Sequence, residues 1–327
     1  MRALVTGGAG YVGSVVAAQL LDAGHEVVVL DDLRRGHRAA IPPGATHLEL
    51  SLDDAHALQE RLGGGFDAVL HFAALSLVAE SVEHPERYWH NNVGGTRNLL
   101  DAMRAHGIGR LVFSSTAATY GEPETVPITE DQPPAPVNAY GASKLAVDLM
   151  IRDECVAHGL AAASLRYFNV AGASGGLGED HDPETHLIPL VLQAAAGRRP
   201  AITIFGTDYD TRDGTAVRDY IHVEDLADAH LRALDRLEPG RQEICNLGTG
   251  DGSTVREVIA AARRVTGRAI PVEEAGRRAG DPPRLIASNA RAREILGWAP
   301  ERSLETMIAD AWAWHSAHPD GYQPDPG

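Results

Sequence analysis

The chain has 327 residues, 44% of them hydrophobic, with only two cysteines. At roughly 150 residues per domain this is about two domains with full cores, which excludes disordered, collagen-like and disulfide-scaffold chains. Lys and Arg number 29 against 45 Asp and Glu, a net charge of −16, which argues against a nucleic acid or an anionic membrane as the main partner.

In chain order, Ala3-Leu4-Val5 reads as a short buried strand, and glycines follow at 7, 10 and 13. In this GxxGxxG spacing one glycine makes a tight turn, one admits a pyrophosphate to the backbone, and one lets helix and strand pack closely. Tyr11, Val12, Val15, Val16 and Leu20 recur at helix spacing, and Gly24 stops that helix. Its free N–H groups and positive end suit a phosphate. The second strand, Val27 to Leu30, delivers Asp31 at its end. A carboxylate about 20 residues beyond such a loop accepts bonds from an adenosine ribose and repels a 2′-phosphate. NAD is therefore expected rather than NADP, although Arg34 and Arg35 stand close enough to serve a 2′-phosphate instead.

Ala68-Val69-Leu70 and Leu111-Val112-Phe113 give two more strands around a helical pattern from about Tyr88 to Met103, and the alternation continues through Ala161 to Tyr167. Unbroken apolar strands between helices predict an α/β fold with a doubly wound parallel sheet of the Rossmann type. The second half is less regular. Ala171 to Gly178 reads as a loop, Thr254-x-x-Glu257 as a capping box, and Ser303 to Trp314 as a last amphipathic helix. The expected organisation is a nucleotide-binding domain over 1–170, to which later segments can return, and a smaller α/β substrate domain over 171–327.

Tyr140-x-x-x-Lys144 places a phenol and an amine on one helical face. An adjacent ammonium favours the phenolate of a group that ordinarily titrates at about pH 10, making it a general acid and base. Ser114-Ser115-Thr116 follow a buried strand, so hydroxyls emerge at the C-terminal edge where open parallel sheets bind ligands. One of the three is expected to serve only the turn. Cys155 and Cys245 lie in no CxxC, and no Cys/His group has zinc spacing, so a reducing compartment and no structural metal are expected. No signal-peptide segment and no apolar run of ~18 residues occur, which points to a cytoplasmic protein.

The glycine loop, Asp31, the strand-end hydroxyls and the YxxxK together resemble the extended short-chain dehydrogenase/reductase family. Within it, His71-Phe72-Ala73-Ala74, Asn91-Asn92-Val93-x-Gly95-Thr96, Arg166-Tyr167-Phe168-Asn169, Val217-Arg218-Asp219-Tyr220-Ile221-His222-Val223 and Asn246-Leu247-Gly248 resemble the UDP-glucose 4-epimerases, nearly end to end. The resemblance implies interconversion of UDP-galactose and UDP-glucose through a 4-keto sugar with tightly bound NAD. Tyr140 would be the acid/base, Thr116 would bond the sugar oxygen, and Lys144 would bind the nicotinamide ribose and lower the Tyr140 pKa. It further implies NAD contacts from Gly7, Gly10, Tyr11, Val12, Gly13, Asp31, Asp32, Leu33, Ser51, Leu52, Phe72, Ala73, Ala74, Ser76, Asn91, Ser114, Tyr140, Lys144 and Phe168. UDP-sugar contacts would come from Ser76, Thr116, Tyr140, Asn169, His186, Leu187, Phe205, Arg218, Arg278, Asp281 and Leu285. Guanidinium forks such as those of Arg218 and Arg278 suit a pyrophosphate, with a surface ion pair as the alternative, and Phe205 either packs on uracil or fills a core. The resemblance also implies a homodimer, with the helices near Tyr88 and Tyr140 pairing into a four-helix bundle.

The chain also departs from that pattern. Ser76 stands where many relatives have Lys, Leu50-Ser51-Leu52 where they have Gly-Asp-Ile, and His186 where Asn is common. Leu285 is smaller than the tyrosine of strict UDP-glucose enzymes, which leaves room for an N-acetyl group. Nucleotide-sugar 4,6-dehydratases carry Asp-Glu after the strand-end threonine, and here Ala117-Ala118 follow Thr116. The readings left open beside a UDP-hexose epimerase are a UDP-N-acetylhexosamine or UDP-pentose 4-epimerase, a nucleotide-sugar 4-ketoreductase, and, more remotely, a non-catalytic NAD-binding regulator.

Overall fold

Seven parallel strands form the central sheet in a computed structural model that describes residues 1–278 and 280–323. In chain order they are β1 (Arg2–Thr6), β2 (Glu26–Asp31), β3 (Thr46–Glu49), β4 (Ala68–His71), β5 (Arg110–Thr116), β6 (Ala161–Tyr167) and a returning strand, Gln242–Leu247. In space they run β3-β2-β1-β4-β5-β6, with the returning strand on the β6 edge. The winding reverses between β1 and β4, and the crevice at the carboxyl ends of those strands is where such sheets take ligands.

Alternation along β1 explains the layers. Ala3 and Val5 face α1 (Tyr11–Asp22), with Val15, Val16 and Leu20 in the same core. Leu4 faces the other side, where α2 (Ala55–Leu62), α5 (Gly95–Ala105) and α6 (Ala139–His158) contribute Leu58, Leu99, Met103, Val147 and Ile151. Each such side chain, taken fully out of water, contributes roughly 1.5–3 kcal/mol before entropy is charged against it.

The helical pattern expected as one run over 88–103 is broken. After α3 (Val78–Glu83), α4 (Pro85–Tyr88) gives way to a π-helical turn, Trp89–Gly94, before α5 begins. The widened turn brings the Asn92 amide inward, where it bonds the Leu75 backbone N–H at 2.8 Å and C=O at 3.0 Å and donates to Ser143 Oγ at 3.0 Å. A 3.6-residue period cannot register that extra residue.

The second half builds a separate core. β7 (Asn169–Ala171) opens it, followed by α7 (Leu187–Ala195), β8 (Ile202–Phe205), β9 (Val217–Arg218), β10 (Tyr220–His222) and α8 (Val223–Asp235). The returning strand Gln242–Leu247 is β11, and β12 (Ser253–Thr254), α9 (Val255–Thr266), β13 (Val272–Ala275), β14 (Arg284–Leu285), α10 (Ala290–Leu296) and α11 (Leu304–Ala317) complete the described chain. Ile188, Val191, Ile204, Ile259 and Met307 lie at its centre. The Thr254–Glu257 capping box is present in both directions, and Ser303 caps α11. α8 belongs with the sheet, since Leu226 and Leu234 join the α1 core.

Candidate active site

The glycines of the first turn differ in what they permit. Gly7 has φ +70°, and a Cβ there would lie 2.5 Å from the Ala73 amide nitrogen, so β4 can approach only a glycine. A Cβ on Gly13 would lie 2.2 Å from the Gly7 carbonyl oxygen, which locks α1 onto the turn. Gly10 is the N-cap of α1 and supplies no side-chain cap. The first amides of that helix, at Tyr11 and Val12, therefore face outward as an anion cradle. Asp31 is buried beside it. Its carboxylate accepts the Ala9 amide at 3.0 Å and the Leu33 amide at 2.9 Å. Burial raises its pKa while those amides oppose the shift. Leu33 takes φ +58°, a strained value for a leucine, to reach that bond. A turn with glycine at its close approaches, bare helix amides and a carboxylate at the end of the second strand is the set a dinucleotide requires, so these residues fit NAD.

Next to the cradle, Arg34 reaches from Asp32 (2.6 Å) to Ser51 Oγ (3.3 Å) and Asn91 Oδ1 (3.2 Å). Asp32, Arg34 and Ser51 line an open cavity with Asp53 and Asp54. Asp53, two residues past Ser51, pairs with Arg34 at 3.5 Å, so a carboxylate stands close to that position. Leu52 is buried against Gly95. Phe72, Ala73 and Ala74 lie along the mouth of β4, whereas Ser76 is exposed in the loop beyond it.

At the end of β5 the three hydroxyls divide by strand alternation. Ser115 turns away from the cleft and donates to Asp148 at 3.2 Å, in a buried network where Arg166 pairs with Asp148 at 2.8 Å. It is the structural member. Ser114 and Thr116 share the other face. Thr116 Oγ1 accepts the Ala118 amide at 3.2 Å, which leaves its proton available to the neighbouring Tyr140 phenol. Gly141 allows this meeting, because a Cβ there would lie 2.4 Å from the Ala118 carbonyl oxygen. Burial raises the Tyr140 pKa, and the Thr116 bond opposes the rise.

Lys144 is buried one turn further on, and burial lowers its pKa to about 8 against the opposing charge of Asp148. Its ammonium donates to the Ser114 carbonyl at 2.8 Å and lies 4.8 Å above the Phe113 ring. Sequence reading assigned no role to Tyr167, whose hydroxyl bonds Ser114 Oγ and whose proximity to Tyr140 raises its own pKa after burial. Phe168 follows it, partly buried at the strand end. His71 was quoted as motif only. It is buried neutral, its pKa lowered to about 3, and it bonds Thr6 at 2.6 Å and Thr96 at 2.9 Å, which ties β1, β4 and α5 at the switch point.

The second-half residues meet through two short strand pairs. Asn169 pairs with Tyr220, and Leu285 with Arg218. The buried Asp219 holds them together by accepting the Thr249 amide at 2.7 Å, the Gly250 amide at 3.0 Å and the Ala287 amide at 3.1 Å. Arg218 is 13% exposed and paired with Asp281, so its ion pair is largely buried rather than on the open surface. Arg278 stacks 3.8 Å over the partly exposed Phe205 ring. Phe205 therefore presents a face outside the core. His186 caps α7 and Leu187 begins it. His186 belongs to a group the sequence reading missed, Glu179, His181, Glu184 and His186, whose signal is the spacing Glu-x-His-x-x-Glu-x-His. Burial draws the His186 pKa down, but Glu179 and Glu184 hold it up at about 10.

Among the described residues no helix is long and apolar enough to cross a membrane. The sequence pattern of the NAD dependent epimerase/dehydratase family matches residues 3–248. The chain is 60% identical to UDP-glucose 4-epimerase of Streptomyces lividans over 98% of this chain and 97% of the relative. The crystal structure of UDP-glucose 4-epimerase from Brucella ovis in complex with NAD superposes with a TM-score of 0.92 at 46% identity, covering 95% of this chain and 97% of that one. That of UDP-glucose 4-epimerase from Bifidobacterium longum in complex with NAD+ and UDP gives 0.93 at 36% identity, covering 98% and 100%. With its glycine cradle, buried Asp31 and Tyr140–Lys144 helix set on that shared frame, the chain belongs to the NAD dependent epimerase/dehydratase family.

Proposed function

We propose that the protein is an NAD-dependent UDP-glucose 4-epimerase that interconverts UDP-galactose and UDP-glucose. The observation that carries this reading is the likeness, over nearly the whole chain, to a protein of that activity, joined to the Thr116–Tyr140 pair at the sheet edge. Ala117-Ala118 after Thr116 supply no acid pair for dehydration.

The cradle of Gly7, Gly10 and Gly13, the Tyr11 and Val12 amides and Asp31 would hold NAD, with Lys144 and Ser114 nearer the reacting end. When bound, NAD supplies a reversible acceptor for the hydrogen on the sugar's C4. Tyr140 removes the 4-hydroxyl proton and later returns it. Its burial holds the phenol protonated by default, and the Thr116 hydroxyl steadies the oxygen when the proton is away. Arg218, with Asn169, His186, Leu187, Phe205, Arg278 and Asp281, would grip UDP. Uridine and pyrophosphate contacts can stay fixed while the sugar presents its other face, so UDP supplies most of the affinity. Exposed Trp89 (45%), Leu149 (44%) and Val156 (80%) give the helices around α6 an apolar outer face, which supports a homodimer through a four-helix bundle. The same reading places the protein in the cytoplasm.

The test is NMR of UDP-galactose with the purified, NAD-loaded protein and no other reductant. Growth of the UDP-glucose anomeric signal to an equilibrium mixture is expected. No conversion with NAD demonstrably bound would reject the reading. Leu285, beside Arg218, favours a second activity on UDP-N-acetylhexosamines. Leu285→Tyr should abolish that activity alone, and equal loss on both sugars would refute it.

A further inference from the structure

The loop ahead of α7 gathers Glu179, His181, Glu184 and His186 so that one ligand atom from each lies within 4.8 Å of the others. His186 Nδ1 is 2.7 Å from Glu179 Oε1 and 3.2 Å from Glu184 Oε1. His181 Nδ1 is 3.2 Å from Glu179 Oε1 and 3.8 Å from Glu184 Oε2. We propose that these four side chains form a binding site for a divalent transition-metal ion of the zinc type.

Three observations favour a cation over a simple ion-pair cluster. First, His181 Nδ1 is sealed from solvent, and its nearest acceptor, Glu179 Oε1 at 3.2 Å, is not aligned for a hydrogen bond. A metal at the centre would give that nitrogen a partner along its lone pair. Second, tetrahedral zinc, with bonds of about 2.0–2.2 Å, sets its ligand atoms roughly 3.4 Å apart. The three separations above that exclude Glu184 Oε1, at 2.7, 3.2 and 3.8 Å, bracket that value. Third, the outer shell is built. Glu184 Oε1 already accepts the Thr185 and His186 amides, each at 2.7 Å, which fixes the carboxylate and leaves Oε2 free to ligate. Two imidazoles disfavour magnesium and calcium, which prefer oxygen, and two carboxylates neutralise a 2+ ion. A cavity of about 130 Å³ bordered by Glu179, His181, Glu184, Gln193 and His315 adjoins the group.

The site sits where it can brace both halves. His37 bonds the Asp180 carbonyl at 3.0 Å and Arg35 the Asp182 carbonyl at 2.8 Å, so the loop is tied to the segment that follows Asp31. At its other end His186 caps α7. A bound ion would join these ties into one clamp, whichever sugar the enzyme takes.

The test uses the full, untagged, NAD-loaded protein, stripped with a chelator and titrated with Co2+ and then Zn2+. One equivalent per chain is expected, with the intense visible absorption of tetrahedral cobalt and its displacement by zinc. His181→Ala should weaken uptake by more than the roughly 10–100-fold that loss of an outer-shell partner costs. Glu179→Gln is the second variant, should the first not fold, with bound NAD reporting folding in both. No stoichiometric uptake by the wild type would overturn the proposal. So would a weak octahedral spectrum, or uptake unchanged in a folded variant.

Discussion

The two halves of the cleft are built in different ways. The proposed cofactor side is anchored by one stretch of chain, Gly7 to Asp31, whose backbone touches backbone of its own turn and of the loop after β4, with no space for a Cβ at Gly7 or Gly13. The proposed sugar side draws Asn169, Phe205, Arg218 and Leu285 from four strands and His186 from the head of α7, and it is braced by side chains, chiefly the Asp219 carboxylate. A wall of backbone suits a group that never leaves. A wall of side chains, some stacked and partly exposed, suits one that must turn over between faces.

That contrast can be broken most severely at the residue between the halves. Tyr140→Phe keeps the ring and removes the proton, so epimerisation measured by NMR should fall by about 10²–10⁴-fold, with NAD content unchanged. A variant retaining more than a tenth of the activity would move the acid/base role elsewhere. On the sugar side, Arg218→Ala should raise KM for UDP-galactose by roughly 10–100-fold, the worth of one charged hydrogen bond of about 1.5–3 kcal/mol. Bound NAD should not change, and its loss would show that the halves are not separable.

The cofactor side should fail differently. Gly13→Ala forces a methyl into the Gly7 carbonyl and should cost about 1–3 kcal/mol by overpacking, together with bound NAD. Gly10→Ala, where the nearest contact is 3.3 Å, should cost less than half as much. Urea unfolding and the absorbance ratio of purified protein check both, and equal effects would contradict the steric account.

The smallest effect is a pH slope. Folding depresses the Lys144 pKa from 10.5 to about 8. Its unfavourable contribution is full below pH 8 and is relieved as pH rises toward 10.5, because the unfolded chain then holds the extra proton. Stability of the NAD-free wild type should therefore gain up to about 3 kcal/mol over that window relative to Lys144→Met. Parallel urea midpoints at pH 7.5 and 9.5 would disprove the burial argument.

The same contrast explains what the sequence disclosed. The sheet was legible because buried parallel strands are unbroken apolar runs, and the glycine turn because its requirements are local. Thr46–Glu49 was not, since an edge strand with only Leu48 apolar carries no such run. The π-turn at Trp89–Gly94 hid inside a helical period. Strand alternation sorts Ser115 from Ser114 and Thr116, but only the fold shows Asp148 waiting for it. The YxxxK spacing puts Lys144 one turn beyond Tyr140, yet its partner is the Ser114 carbonyl, a backbone atom no motif names. Gly141 stood beside Tyr140 in plain view, and its reason is a carbonyl from another segment.

The central claim is that one site inverts C4 without net oxidation or exchange of NAD. Its most direct test is UDP-galactose carrying deuterium at C4, incubated with the NAD-loaded protein in ordinary water with excess free NAD. The account predicts UDP-glucose and UDP-galactose at equilibrium, both with the label retained at C4. Loss of the label to solvent or to the free NAD pool, or oxidised sugar accumulating in proportion to added NAD, would contradict it.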